Sequence, residues 1–408
     1  LDDPKVVAEL SRFNAELNCD PVLLNGDVLH QIHREVSQVW NRSQQAARQM
    51  NLHHLMVGSL PTLHDGMLCM ETMSEYERYR WLNHRILELR DGKPIHIDIA
   101  GTDHLQVMID NIMMEAACTS LQVHLCTSHH TAHLYMNSGI ALSAAMAALC
   151  ANSPYVFGND LWAETRIPLF EQSLSTPGFM DEHGFNVQRV SFGSGFADPG
   201  LAGMFAENLE RYPVLLPILY ETPTEEMRHV RFHNGNIWRW NRPIVGFESD
   251  GKRHIRIEHR VPAAGPTLID VVANVAFFLG AATGLVNRYG DIADHLDFHQ
   301  VRQDFYEAAK EGLSAQVSWV DGKRHVLQEL IRSQILPLCR EGLVKWGVNS
   351  TDNSLFLKDI LEKRVRTGQT GAVWQRQFIA KHGTDFDRLT AAYFQNQESG
   401  RPVHEWVV

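Results

Sequence analysis

Residues 254 to 261 read HIRIEHRV. In a strand, successive side chains point to opposite faces, so His254, Arg256, Glu258 and Arg260 share one face while Ile255 and Ile257 lie on the other. An apolar back calls for a covering layer, and a charged front is either a solvated surface or the floor of a polar cavity. Two other runs repeat the design. In FNAELNCD (13 to 20), Phe13, Ala15, Leu17 and Cys19 alternate with Asn14, Glu16, Asn18 and Asp20. In SLQVHL (120 to 125), Ser120, Gln122 and His124 alternate with Leu121, Val123 and Leu125.

Around these runs, apolar residues recur at helical spacing over 28 to 50 and 75 to 90, the second stopped by Asp91-Gly92. NLHHLMVGSLP (51 to 61) reads as a short strand leading into Pro61, and IHIDIAG (95 to 101) alternates as a strand. A small-residue helix over 138 to 151 closes at Asn152-Ser153-Pro154, and 171 to 200, rich in Gly, Ser and Pro, is a loop region of functional length. Strands return at 236 to 247 and 254 to 261, joined by an SDGK turn. After Gly265-Pro266 the chain reads as helices near 267 to 288, 300 to 314, 324 to 346, 355 to 366 and 384 to 396. Strands before 262, with helices between and after them, predict an α+β protein on a mainly antiparallel sheet. The expected organisation is a sheet core with connecting helices over 1 to 265 and a mainly helical part over 266 to 408, packed as one unit.

Composition narrows the function. The chain has 408 residues, 44% hydrophobic and 21% charged, with net charge -11, which excludes a general binder of nucleic-acid phosphates. Six cysteines (19, 69, 118, 126, 150 and 339) without a CxxC pair read as free thiols and point to a cytoplasmic protein. The start, LDDPKVVAEL, is not built as a signal peptide and lacks an initiator Met, so upstream sequence is expected to have been removed, processed or left out. TLIDVVANVAFFLGAATGLV (267 to 286) is long enough to span a bilayer, but Asp270 and Asn274 interrupt it, and it reads as a buried core helix. No membrane association is expected.

Carboxylates on the polar fronts are the hard ligands that Mg²⁺ prefers, and Mg²⁺ usually bridges protein carboxylates to nucleotide phosphates. Interleaved arginines suit phosphate or carboxylate oxygens, which the guanidinium fork matches. A shared cavity and a solvated face remain open alternatives on these residues alone.

In the order FNAELNCDP, EAACTSLQVHL, ANSPYVFGNDLWAETRIPLFEQS, NGNIWRWNRPIV, RIEHRV and TGQTGAVWQRQF, the chain resembles the glutamate-cysteine ligase family of the second type, also called carboxylate-amine ligases. The resemblance implies a glutamine-synthetase-like funnel of antiparallel strands, with ATP and Mg²⁺ at one end and substrate at the other. It implies an amide bond formed to the side-chain carboxylate of glutamate or a similar acid, through an acyl phosphate, with an amine such as cysteine. Glu16 and Glu258 would bind metal, Glu9 would join them by its place seven residues before Glu16, and His124 would sit near metal or phosphates. Arg166 and Arg260 would hold the acid or the γ-phosphate, with Arg256 as a phosphate partner and Gln122 on the same polar front. The family opens on a Gly-x-Glu-x-Glu strand that nothing here matches, so the expectation divides between a segment upstream of Leu1 and a non-catalytic relative that binds nucleotide or amino acid.

Other features have two readings each. Trp238, Trp240 and Asn241 would wall the substrate or nucleotide pocket, or the tryptophans belong to the core, with Arg239 on the opposite face. His129, His130 and His133 have a spacing zinc can use, but no Glu or Cys completes a set nearby, and a solvated helix end is the simpler reading. VSFGSGF (190 to 196) is a tight turn or a closing loop, and Gly371 marks a helix start. A metal-dependent hydrolase is a third, weaker function. The expected partners are small molecules (amino acid, amine and ATP), and a homodimer is a default for a soluble enzyme.

Overall fold

The computed structural model describes residues 3–248 and 250–408. The α+β class and the mainly antiparallel pairing expected from the sequence are found: among the described residues, one sheet has three strands and six ribbons have two, and only one ribbon is parallel.

In the three-stranded sheet, Arg253–His259 is central, with Asn241–Phe247 on one side and Val123–Thr127 on the other. Both pairings are antiparallel, and they align Arg242, Glu258 and His124 in one row across the strands. The next row on the same face is Ile244, Arg256 and Cys126. Ser249 of the expected turn lies outside the described residues; beside it, Glu248 N donates to Lys252 O at 2.8 Å and Gly251 N to Glu248 O at 2.9 Å, closing the hairpin.

Helices cover the other face. Ala132–Leu149 begins earlier than expected and is buried along most of its length, as is Leu268–Tyr289. The ring of His259 stacks on Phe278 at 4.2 Å, sealing sheet to helix. The two polar residues that interrupt the apolar run serve as tethers: Arg364 donates to Asp270 Oδ1 at 2.7 Å and to Asn274 Oδ1 at 2.6 Å. The same helix meets Leu336–Lys345 so closely that a Cβ on Gly342 would overlap the Gly280 carbonyl oxygen.

The run ANSP forms a buried junction. Asn152 N donates to Glu164, Nδ2 donates to Ala264 O and Tyr393 Oη at 2.8 Å each, and Oδ1 accepts from Gln375 at 3.1 Å. Thr370 caps the helix Gly371–His382 through Val373 N, and a Cβ on Gly371 would collide with the Asn152 side chain. The C-terminal helices are thereby bonded to the segment that leads into the functional site.

Several elements depart from expectation. Residues 51 to 61 form no strand, because their backbone groups bond elsewhere: Met56 O accepts from Tyr393 and Gln397, and Gly58 N donates to Asn152 O. The expected helix at 324 to 346 is split into a strand, Arg324–Val326, and a helix that widens to a π-turn at Ile331–Ile335, just before Pro337. Proline has no N–H to give the preceding turn, which favours such a local change. Arg166–Ser173, Ala202–Arg211 and Arg228–Gly235 are short helices without a long enough period to be read in advance.

Candidate functional site

Strand alternation carries Glu258 to the polar front, and the pairing register decides what it meets. Arg242 Nη2 donates to Glu258 Oε2 at 2.9 Å, and Arg260 Nε donates to Oε1 at 2.9 Å. Glu258 is 2% exposed. Burial alone raises a carboxyl pKa, but here the charges of Arg260 and Arg242, with the hydrogen bond from Arg242, outweigh it and hold the group down to about 2. Expected as a metal ligand, Glu258 is instead bound through both oxygens to guanidinium groups.

His124 Nε2 stands 3.8 Å from Glu258 Oε2, and its Nδ1 accepts from Arg256 Nε at 3.2 Å. Burial lowers the pKa of His124, Glu258 raises it, and Arg256, Arg242 and Arg260 lower it further. With His124 neutral, three guanidiniums face one carboxylate, leaving two positive charges in excess. Gln122 and His124 are exposed on this front and Arg256 is partly so, so the front is open and basic, with guanidinium forks of the kind that match phosphate or carboxylate oxygens.

A second cluster lies beyond Arg260. The antiparallel ribbon Val6–Ala8 with Ala15–Leu17 brings Glu9 beside Glu16. Glu115, on the short helical turn Met113–Ala117, completes a group of three carboxylates, and Asn14 Nδ2 holds that turn by donating to Ala116 O at 2.8 Å. Burial, the charge of Glu115, and the hydrogen bond and charge of Glu16 push Glu9 up to about 8. Burial pushes Glu115 up to about 7, against the pull of Arg260. Carboxyls raised in this way, as Glu9 and Glu115 are, hold protons that a hard divalent cation would displace.

The four expected metal residues therefore do not form one set. Glu9 and Glu16 stand with Glu115, while Glu258 and His124 stand with arginines. Among the described residues, no three His, Cys, Asp or Glu side chains converge in ligating geometry.

Arg166, expected to hold substrate, is 0% exposed, and its donors go to Glu164 Oε1 (2.9 Å), Ser120 Oγ (3.0 Å) and the Val261 carbonyl. It clamps the end of the central strand. Trp240, expected to wall the pocket, is also fully buried: it lies against Phe170 and Arg166 and donates from Nε1 to Glu171 at 2.7 Å. Asn241, the next residue, is turned away from the front, where it donates to Ser143 Oγ at 2.9 Å and pairs with His259 at 2.7 Å. Trp240 and Asn241 point to different partners and do not wall one pocket, which corrects their pairing.

The sequence reading missed Arg242 and Glu115. Counting outward from the turn opposes 242 to 258, so Arg242 was within reach. Glu115 is the lone acid of the apolar run MMEAA, which signals burial but not its neighbours.

By its own residues the site is a basic sheet front with carboxyls grouped at its side. The chain belongs to glutamate-cysteine ligase family 2, whose sequence model matches residues 1–398. Among curated proteins none matches it. Of solved structures, it is similar to the Pup ligase PafA of the prokaryotic ubiquitin-like modification pathway in complex with ADP, at 10% identity and a TM-score of 0.37 over 93% of this chain and 65% of that one. A second similar structure is the complex of the prokaryotic ubiquitin-like protein Pup with its ligase PafA, at 11% identity and a TM-score of 0.29, over 76% of this chain and 66% of that one. This chain thus spans about two thirds of the length of those ligases.

Proposed function

We propose that this protein is an ATP-dependent carboxylate-amine ligase that joins the side-chain carboxylate of glutamate, or a similar acid, to a small amine such as cysteine. The observation that carries the reading is the excess of guanidinium on the sheet front, which suits a polyphosphate, with the adjoining carboxyls of Glu9 and Glu16 at its side.

Mg²⁺ would be held between nucleotide phosphates and the adjoining carboxyls of Glu9 and Glu16, and when bound would neutralise phosphate charge and displace the proton that Glu9 retains. Arg256, with His124 beside it and Gln122 further along the same front, would bind phosphate oxygens at its open side. Arg260 stands between the two clusters and would stabilise charge as the acid's carboxylate is phosphorylated. Glu258 holds the forks of Arg242 and Arg260 in fixed orientations, so that little reorganisation is needed when charge develops. Attack of the amine on the acyl phosphate then releases phosphate and leaves the amide. In phosphoryl transfer, positioning and neutralisation of this kind supply most of the catalysis.

The test is phosphate release from ATP and Mg²⁺ with glutamate and a panel of amines. The expected result is release that requires acid and amine together and falls on the order of a hundredfold in Arg256→Ala. Nucleotide binding without release under any acid and amine pair would favour the second reading, a non-catalytic binding protein. That reading is supported by the saturation of Glu258 with arginines, which completes an anion site from protein groups alone.

A further inference from the structure

A cavity of about 140 Å³ lies on the helix-covered side of the sheet, away from Glu258. Its position follows from its lining: Asn241 points away from Arg242, and Met136 and Ile140 belong to the covering helix Ala132–Leu149. The stretch Phe192–Phe196 of the glycine-containing loop closes one side, and Met204 of the helix Ala202–Arg211 closes another.

Its floor is polar but already paired. Arg239, 2% exposed, donates to Asn208 Oδ1 at 2.6 Å and to Glu207, whose other oxygen accepts the Ser194 hydroxyl. The guanidinium is therefore not free to receive an anion. At the exposed edge stands Asp198, whose carboxylate makes neither an ion pair nor a hydrogen bond among the described residues. Gly203 faces it, and a Cβ there would press on Oδ2, so the glycine leaves the carboxylate room. Arg239 against Glu207 and Asp198 leaves one negative charge. One free carboxylate supplies few of the six to eight oxygens that Ca²⁺ takes.

The remaining walls are apolar: Phe196, Met204, Met136 and Ile140. A cavity of roughly 150 Å³ accommodates a molecule the size of benzene, so the body that fits here is compact.

We propose that this cavity binds a small primary amine with a compact apolar body, its ammonium at Asp198 and its body between Phe196 and Met204. The site is separate from the sheet front, and the proposal does not rest on the ligase reading.

The experiment is calorimetric titration of isopentylamine, 3-methylbutan-1-ol and isovalerate into the full chain and its variants. The amine is expected to bind, with the alcohol and the acid at least about tenfold weaker, since a charge-assisted hydrogen bond is worth about that much. Asp198→Asn, an exposed and unpaired position, is expected to lose about tenfold in amine affinity. Met204→Trp fills the cavity and is expected to abolish binding, while Arg256→Ala on the opposite face leaves amine affinity unchanged. Equal binding of amine and alcohol, unchanged affinity in Asp198→Asn, loss in Arg256→Ala, or no binding of the amine would each overturn the proposal.

Discussion

Arg242 and Glu258 meet across the hairpin at 2.9 Å, and the register that pairs them also sets His124 on the other side of Glu258. One carboxylate thereby organises arginines from two neighbouring strands. Removing it leaves buried guanidinium charge uncompensated, a change that typically costs about 3 to 5 kcal/mol. Glu258→Gln is expected to lower stability by that order in denaturant titration, and Arg242→Ala to destabilise as well.

The same pair sets the acid limit. Glu258 titrates near 4.5 when unfolded and about 2 when folded, so its stabilisation is complete above about pH 4.5 and is lost as pH falls toward 2. Thermal unfolding between pH 2 and 6 is expected to show a shallower acid slope in Glu258→Gln than in the unaltered chain.

Glu9 and Glu115 act in the opposite direction. Their folded values, about 8 and about 7, lie above the unfolded value of 4.5. Between 4.5 and those values the folded state keeps protons the unfolded chain has released, so stability falls as pH rises through that window. Glu115→Gln is expected to raise the unfolding temperature at pH 8 and leave it nearly unchanged at pH 4.

If Glu9 joins in holding Mg²⁺, binding must release protons at pH 7. Calorimetric titration of Mg²⁺ in two buffers of different ionisation enthalpy is expected to give different apparent heats, and Glu9→Gln to shrink the difference. Identical heats would remove the metal from this cluster.

Asp270 and Arg364 join the longest apolar helix to the C-terminal part. Arg364→Met leaves Asp270 buried without a counter-charge and is expected to cost about 3 to 5 kcal/mol. Asp270→Asn in the same chain is expected to restore part of that loss, which unfolding of the single and double variants would measure.

The polar front was legible because strand alternation is strict: Glu258, Arg260, Arg256 and His124 follow from HIRIEHRV and SLQVHL, and the structure aligns those strands. What alternation does not give is partners. Arg166 has the residue type of a substrate anchor, and only the fold reveals that Glu164, Ser120 and Val261 take its donors. Trp240 was ambiguous for a related reason, since an indole suits a pocket wall and a core equally until burial decides. Glu115 escaped because it sits on a turn between strands, where neither period applies. The strand expected over 51 to 61 failed because its backbone partners are Asn152, Tyr393 and Gln397, two of them more than three hundred residues away.

The measurement that bears most directly on the ligase reading is titration of a non-hydrolysable ATP analogue, with and without Mg²⁺, into the chain and into Arg256→Ala. The account predicts binding that Mg²⁺ strengthens and that Arg256→Ala weakens at least about tenfold, consistent with the loss of charge-assisted phosphate contacts. Absence of binding with Mg²⁺ present, or equal affinity in the variant, would contradict it.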